Sequence, residues 1–239
     1  MKQSVWQNHN KLKFLAIRSK LLKDNVFNRQ SETKEKNMDV NQAIKSRRSI
    51  RKYSDKDVSI DKIDALLEAA RLAPSGLNAQ PWRFKVIQNP EDIKWLAKEA
   101  TRGQRWVGGA NVVFLCCADL SKYIDDAKAN VRFLKDSGVL PPEMLSGIEE
   151  YVQKAGDAPA EILRSAAATN CSIAITQMML QAVELDLGTC WVGMYDEKAI
   201  KERFALGDHF AVVALLTVGY PAEHPEARPR KSIEEIIIP

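Results

Sequence analysis

Histidine and cysteine are scarce in this chain, and their spacing excludes the usual zinc sites. Only three histidines, His9, His209 and His224, occur among 239 residues, and the four cysteines form no C-x-x-C pair. No metal site is therefore predicted. Neither His209 nor His224 has a serine, cysteine or aspartate partner at a telling spacing, which disfavours hydrolysis by a catalytic triad.

Long apolar runs and the commonest cofactor motifs are also missing. No stretch approaches the roughly 18 apolar residues of a membrane-spanning helix. The longest apolar segments, "NVVFLCCA" and "AVVALLTVGY", are strand-sized. There is no G-x-G-x-x-G after a strand, no Walker loop, no G-x-S-x-G and no H-E-x-x-H. No membrane partner is expected, and a nucleotide would have to be bound without these loops.

The cysteines are expected to be reduced, buried thiols of a cytoplasmic protein. Cys116 and Cys117 are adjacent in a strand-like run, so their side chains are expected to point to opposite faces of a sheet. The other two, Cys171 and Cys190, stand far apart in the sequence.

Positive charge is distributed unevenly along the chain. Residues 1–37 hold nine basic and three acidic residues, a net charge of +6. Since the whole chain carries +4, residues 38–239 carry −2. A nucleic-acid partner is not expected, because binding to phosphate backbones requires a broad basic face.

Residues 1–38 are predicted to form a basic N-terminal extension, and residues 39–239 the folded domain. The extension combines a weakly amphipathic basic helix with the polar tract "NRQSETKEKN". Three interpretations stay open: a targeting or surface-binding leader, an arm that packs on a partner subunit, or a dispensable segment before a working protein that begins at Met38.

From Asp39 onward, periodic helices alternate with strand-like runs. Helices are predicted over 39–49 with Asp39 as cap, 59–73 with Ser59 as cap, 90–100, two within 121–157, 160–187 and 196–206; strands over 83–88, 111–119, 189–195 and 210–221. This order indicates an α+β or α/β fold with one mixed sheet.

Two polar clusters come early in the domain. In "RRSIR", the side chains of Arg47, Ser49 and Arg51 would lie on the same side of an extended segment and could converge on an anion. In "PSGLNAQPW", hydrogen-bonding side chains accompany Gly76, which would let a backbone approach closely, and Trp82, which would offer an aromatic wall.

Two more clusters come late. In "GTCWVGMYD", Gly193 could present a bare backbone N–H, and "RPRK" is a second group of cations. Each cluster alone is more often a solvated helix end, surface loop or tail. Together they suit a ligand with a phosphate at one end and a flat polar ring at the other, and flavin mononucleotide (FMN) fits that description.

The four motifs in this order resemble the nitroreductase family of flavin enzymes. The family's R-R-S-x-R, P-S-x-x-N-x-Q-P-W and closing G-Y-P followed by two spaced cations are matched by "RRSIR", "PSGLNAQPW" and "GYPAEHPEARPRK". "LDLGTCWVG" matches G-x-G-x-x-W-x-G except that Asp186 replaces the first glycine. The resemblance covers residues 39–239.

The resemblance implies an α+β fold in which helices flank a central mixed, mainly antiparallel sheet. It also implies an intertwined homodimer with two FMN sites, each drawing on both subunits, with the long helix as dimer core and the C-terminal tail embracing the partner. In the implied ping-pong cycle NAD(P)H gives hydride to flavin N5, and a nitroaromatic, quinone, enone or free flavin then takes the electrons.

The family's roles carry over to matching positions. At the phosphate and ribityl chain, cofactor-binding roles are implied for Arg47 and Ser49, with Arg48 nearby and with Arg228 and Arg230 closing on the phosphate. Arg51 would lie near N1 and O2 of the ring, and Val192 and Gly193 would lie against the ring, with the Gly193 N–H on N5. The loop that lines the neighbouring subunit's side of the ring would contribute Ser75, Gly76, Asn78 and Gln80. No side chain is assigned as nucleophile or general acid, because the flavin carries the chemistry.

Residues 121–157 depart from the resemblance. Family members place a variable lid over the substrate here, and this segment matches neither the iodotyrosine dehalogenase nor the flavin-fragmenting branch. The alternatives are such a specialised enzyme or a non-catalytic flavin-binding protein. No 2′-phosphate site is readable, so no preference between NADH and NADPH is predicted.

Overall fold

The computed structural model of the chain describes residues 38–238, and the predictions for residues 1–37 lie outside that range. Within it, no helix is both long and apolar enough to cross a membrane. The helices are α1 Val40–Ser46, α2 Ile60–Arg71, α3 Pro90–Trp95, α4 Tyr123–Ser137, α5 Pro142–Gly156, α6 Ala160–Glu184 and α7 Glu197–Phe204. The strands are β1 Trp82–Ile87, β2 Val112–Asp119, β3 Gly188–Val192 and β4 Phe210–Gly219.

The four strands form one sheet in the order β1-β2-β4-β3, and every neighbouring pair is antiparallel. This confirms the α+β prediction. In the described part of the chain, parallel pairing is confined to an isolated bridge between Ser49 and Thr189, on the free side of β3. That bridge fixes where the cation-rich stretch lies against the sheet.

The sheet is buried on both faces. On one face, α2 and α6 contribute Leu66 and Met178 to a core that also contains Leu216. On the other face, Leu96 and Ile200 pack against inward-facing strand residues. Since β2 is covered on both sides, all eight of its residues are buried, and this explains why its sequence is a continuous apolar run.

Capping side chains explain where several helices begin. Asp39 accepts a hydrogen bond from the Gln42 N–H at 2.8 Å, as predicted for the start of α1. Ser59 stands at the predicted cap of α2 but makes no side-chain capping bond. The sequence reading missed two other caps, Asn89 before α3 and Asp196 before α7.

Cys116 and Cys117 lie in the cores on opposite faces of the sheet, as their adjacency in a strand predicted. All four cysteines are free and buried. Burial raises the pKa of Cys117 and of Cys171 to about 12. It also raises the pKa of Cys116 and Cys190. The reactive thiolate is therefore strongly suppressed at each position.

We expect the native protein to resist a thiol-specific disulfide reagent at pH 8. A thiol with a pKa of about 12 is thiolate only in roughly one molecule in 10⁴ at that pH. Release of the coloured thiolate should be slow in buffer and reach four equivalents in denaturant, one for each cysteine. Rapid labelling of the native protein would contradict this burial.

Candidate functional site

The stretch "RRSIRKY" is extended and is clamped between two neighbours. Helix α1 ends at Ser46, so the predicted continuation of that helix to Ser49 is wrong. On one side, the Ile50 N–H donates to the Thr189 carbonyl at 2.9 Å. On the other, the backbone N–H groups of Arg51 and Lys52 donate to Glu223 Oε1 at 2.5 and 3.2 Å. These long-range bonds outweigh the local tendency of the segment to continue the helix.

A glycine makes this close approach to β3 sterically possible. A Cβ at Gly188 would lie 2.6 Å from Cγ1 of Ile50, closer than packed carbon atoms approach. Tyr53 secures the far end of the segment, because its hydroxyl donates to the Ile50 carbonyl at 2.6 Å and lies 2.8 Å from Thr217 Oγ1. Burial raises the pKa of Tyr53, so the phenol stays protonated and able to donate.

The segment and the C-terminal tail together line a cavity of about 320 Å³, the cation cavity. Cationic and hydroxyl side chains predicted as ligands meet here from positions about 180 residues apart. They are Arg47, Arg48, Ser49, Arg51, Arg228 and Arg230. With Lys45, the lining contains six cationic side chains and one carboxylate, that of Glu226. The excess of positive charge favours an anion as the ligand of this cavity.

The arginines of the cation cavity are not equivalent. Arg48 turns back on its own backbone, donating to the carbonyls of Lys45 and Arg47 at 2.7 and 2.9 Å. The guanidinium carbon of Arg51 lies 5.5 Å from the centroid of the Trp106 ring, a cation–π distance. Arg47 is half-buried, whereas Arg228 and Arg230 are exposed on the tail. Of these three, Arg47 is the least exposed, which favours it for binding an anion.

These residues fit a phosphate monoester such as that of FMN. Guanidinium groups bind phosphate oxygens through paired, charge-assisted hydrogen bonds, and several cations offset its double charge. A neighbouring cavity of about 440 Å³ shares Arg47 and Arg48 but is otherwise lined largely by apolar groups such as Ile50, Val183 and Leu187. The smaller, more cationic cavity is thus the better match for a phosphate.

The loop Ser75–Gln80 lies apart from the cation cavity within the chain. Asn78 and Gln80 line a different cavity of about 330 Å³, together with Asn130 of α4. Gln80 Nε2 donates to Asn78 Oδ1 at 3.1 Å, and Ser75 Oγ accepts from the Gln80 N–H at 3.0 Å. The loop thus forms its own hydrogen-bonded platform rather than completing the anion site of the same chain.

Three residues of this loop adopt left-handed backbone conformations. Leu77, Asn78 and Gln80 have φ of 49°, 52° and 45°. A left-handed conformation costs a non-glycine residue about 1–2 kcal/mol, and less for asparagine. Gly76 does not share it, and a Cβ there would meet its nearest neighbour only at 3.9 Å. Within this chain, packing does not demand that glycine.

Two of the predicted ring-facing residues are buried within the single chain. Trp82 packs in the core cluster of α2 and α6, and it also lines the cavity of Asn78 and Gln80, so an aromatic wall on that cavity stays a prediction. Val192 is fully buried within the chain. Gly193, immediately after β3, is exposed, and a Cβ there would meet Trp191 Nε1 at 3.4 Å.

Hydrogen bonds fix the chain that follows Gly193. Gln104 Nε2 donates to the Met194 carbonyl at 2.9 Å, and the Asp196 N–H donates to the Ala100 carbonyl at 2.8 Å. Sequence reasoning missed Gln104, Trp106 and Glu223, which lie in polar stretches without periodicity. Asn170 was also missed, although it could have been found from the sequence. It is a polar residue inside the mainly apolar run "AAATNCSIAI", and a buried polar side chain is expected to have a hydrogen-bond partner.

Comparison with known proteins gives a consistent result. The family model described as "Nitroreductase family" matches residues 44–220. A protein named NADH dehydrogenase from Thermus thermophilus is 32% identical over 202 residues, which cover 84% of this chain and 96% of the relative. A Bacillus subtilis protein named FMN reductase [NAD(P)H] is 29% identical over 202 residues, covering 82% of this chain and 73% of the relative.

Solved structures agree with these relatives. A protein from Exiguobacterium sibiricum, described as a nitroreductase in complex with FMN, has a TM-score of 0.71 and 28% sequence identity. The match covers 86% of this chain and 99% of that one.

Proposed function

The chain belongs to the nitroreductase family and is an FMN-dependent NAD(P)H oxidoreductase, and we propose that it passes electrons to a small organic acceptor. The acceptor class is a nitroaromatic, a quinone, an enone or a free flavin. The observation that carries this proposal is the cation cavity, where two remote segments supply guanidinium groups to one anion site. FMN, when bound, takes a hydride from NAD(P)H and gives up electrons to the acceptor.

The side chains of the site bind and orient, and none is assigned a proton-transfer step. Arg47, with Arg228 and Arg230 from the tail, holds the phosphate end. Arg51, placed by Trp106 and by the bond of its N–H to Glu223, presents a fixed positive charge toward the ring end. Such a charge stabilises negative charge that develops on a reduced ring. The exposed Gly193 offers its backbone N–H to the ring edge.

We also propose that the working unit is a homodimer in the cytoplasm. Within one chain the Ser75–Gln80 loop and the cation cavity lie apart, as expected if one subunit supplies the phosphate end and the other the ring platform. The tail leaves Ile233, Ile236 and Ile237 more than 60% exposed, an apolar strip suited to a partner's surface. Free, buried thiols suit a reducing compartment.

The function is tested with purified protein. We expect a yellow protein whose flavin absorbance bleaches when NADH or NADPH is added anaerobically and returns when an acceptor is added. Acceptors of the four proposed classes are compared by their kcat/KM. A protein that is colourless and stays colourless with added FMN would overturn the proposal, and bound flavin that no NAD(P)H and acceptor pair turns over would identify a binding protein instead.

The tail is expected to hold the dimer together. The double variant Ile236→Asp, Ile237→Asp puts charge into the proposed contact. The dimer dissociation constant should therefore rise at least tenfold, which corresponds to a loss of about 1.4 kcal/mol of binding free energy. Sedimentation velocity across a concentration series measures it. Val139→Asp is the matched control, because it charges an equally exposed apolar residue in the connection between α4 and α5. Equal dimer stability in both variants would exclude the tail, and a monomeric parent protein would exclude the homodimer.

A further inference from the structure

The strained Ser75–Gln80 loop must be held by its surroundings. Three non-glycine residues of one short loop in left-handed conformations will relax unless bonds from outside hold them. The bond between Ser75 Oγ and the Gln80 N–H closes the loop on itself but does not attach it to the body. The attachment comes from α4, from α6 and from Arg83 of β1, whose Nη1 donates to the Gln80 carbonyl at 3.1 Å.

The principal attachment is Asn170, near the middle of α6. The residue is only 8% exposed, and its Oδ1 accepts a hydrogen bond from the Gly76 N–H at 2.8 Å. Its Nδ2 donates to the Tyr123 hydroxyl at 3.2 Å and to the Ala166 carbonyl at 2.8 Å. Both amide protons are used, so the side chain is locked in one orientation with its oxygen aimed at the loop.

The second attachment is more exposed. Asn130 of α4 donates to the Asn78 carbonyl at 3.2 Å, and Asn78 Nδ2 donates back to Asn130 Oδ1 at 3.5 Å. These bonds are longer than the one from Gly76 and open to solvent, so they are weaker. Tyr123 and Asn130 both belong to α4. The loop is therefore bonded directly to α6 through Asn170 and to α4 through Asn130, and Tyr123 acts on it through Asn170.

We propose that Asn170, oriented by Tyr123, is a positioning residue that holds the Ser75–Gln80 loop in the conformation that faces the flavin ring. The proposal rests on the proposed function and deepens it, since it assigns the control of the ring environment to a buried amide on α6. Asn170 acts through Gly76, and the loop presents the polar groups of Asn78 and Gln80.

Removing this amide should separate cofactor retention from reactivity. The cation cavity contains no residue of the loop, so the phosphate end should still be gripped in Asn170→Ala. The Gly76 N–H and the Tyr123 hydroxyl lose a buried partner, and the loop is free to relax. Displacement of groups that orient a reacting centre by about 1 Å lowers rates by up to roughly 100-fold. We expect kcat/KM to fall about tenfold, with flavin content unchanged.

The experiment compares the purified holoenzymes of Asn170→Ala and Thr169→Ala. Thr169 is the next residue toward the N-terminus, is exposed, and uses its hydroxyl only on the Ser165 carbonyl. Flavin content, visible circular dichroism of the bound flavin, its midpoint potential, kcat/KM and Tm are measured. We expect altered dichroism and potential and a lower kcat/KM only in Asn170→Ala. Asn170→Asp, which keeps an acceptor for the Gly76 N–H, should restore part of the dichroism.

The results distinguish failure of the positioning role from failure of the proposed function. If Asn170→Ala matches Thr169→Ala in dichroism, potential and kcat/KM, or changes only in Tm, the positioning role is wrong although the proposed function stands. A parent protein that holds no flavin overturns the proposed function and the positioning role with it. If Asn170→Ala does not fold, Tyr123→Phe provides the same test, because it removes only the hydroxyl that orients Asn170. A smaller shift in the same readouts is then expected, and none would overturn the role.

Discussion

Replacing Arg47 with alanine is expected to weaken FMN binding by a factor of about 10 to 150. This range corresponds to 1.5–3 kcal/mol, typical of a hydrogen bond to a charged group. Arg47 follows α1 directly and is half-buried, so its guanidinium reaches the cation cavity from a fixed backbone. Arg230→Ala should act in the same direction from the tail. The loss is expected to be larger for Arg47 than for Arg230, because Arg47 is half-buried and Arg230 is exposed.

Lys52 provides the matched control for Arg47. It lies in the same extended segment and carries the same charge, but it does not line the cation cavity. Lys52→Ala therefore removes one positive charge without removing a proposed phosphate contact. Titration of the apoprotein with FMN, followed by flavin fluorescence at several salt concentrations, gives the dissociation constants. Full flavin content in both Arg47→Ala and Arg230→Ala, or equal weakening in Lys52→Ala, would show that the phosphate is bound elsewhere.

Most of the secondary structure could be predicted from local pattern. The cap at Asp39 predicted α1, and the continuous apolar runs predicted β2 and β4. The error at residues 47–49 has a tertiary cause. Nothing near "RRS" shows that Thr189 and Glu223 will supply hydrogen-bonding partners for the residues that follow, and these distant bonds decide that the chain is extended.

The candidate site was only partly visible in the sequence. The two cation clusters and the amide loops indicated a phosphate-bearing ligand, and the resemblance assigned "RRSIR" and "RPRK" to the same phosphate, as the shared cavity allows. The burial of Trp82 and Val192 could not be read from the motifs, because a motif letter does not say which way a side chain points. Asn170 and Trp106 were missed since their roles depend on contacts across the fold, to Gly76 and to Arg51.

A Cβ added at Gly188 is expected to damage both the fold and the cofactor site. Gly188→Ala would place a methyl group 2.6 Å from Ile50 Cγ1 and 2.8 Å from its Cβ. The Cβ of Ile50 is fixed to the backbone, so relief requires the extended segment to move away from β3. Overpacking of this kind costs about 1–3 kcal/mol. The same movement shifts Arg47 and Arg51, so FMN affinity should fall together with stability.

Two comparisons separate this steric effect from a general intolerance of alanine. Gly109→Ala adds the same methyl where no atom lies within 4 Å, so it should leave the urea midpoint and the FMN affinity nearly unchanged. In Gly188→Ala combined with Ile50→Ala, the contacts with the two γ carbons of Ile50, at 2.6 and 3.0 Å, are gone, and the contact with its Cβ at 2.8 Å remains, so part of the clash is relieved. Because neighbours that share a clash are not additive, the double variant should lose less free energy of unfolding than the two single changes together. Two results would contradict this. If the losses of free energy of unfolding in the two single variants add up to that of the double variant, or if Gly109→Ala loses as much as Gly188→Ala, the contact between Ile50 and Gly188 does not set the position of the cation-rich segment.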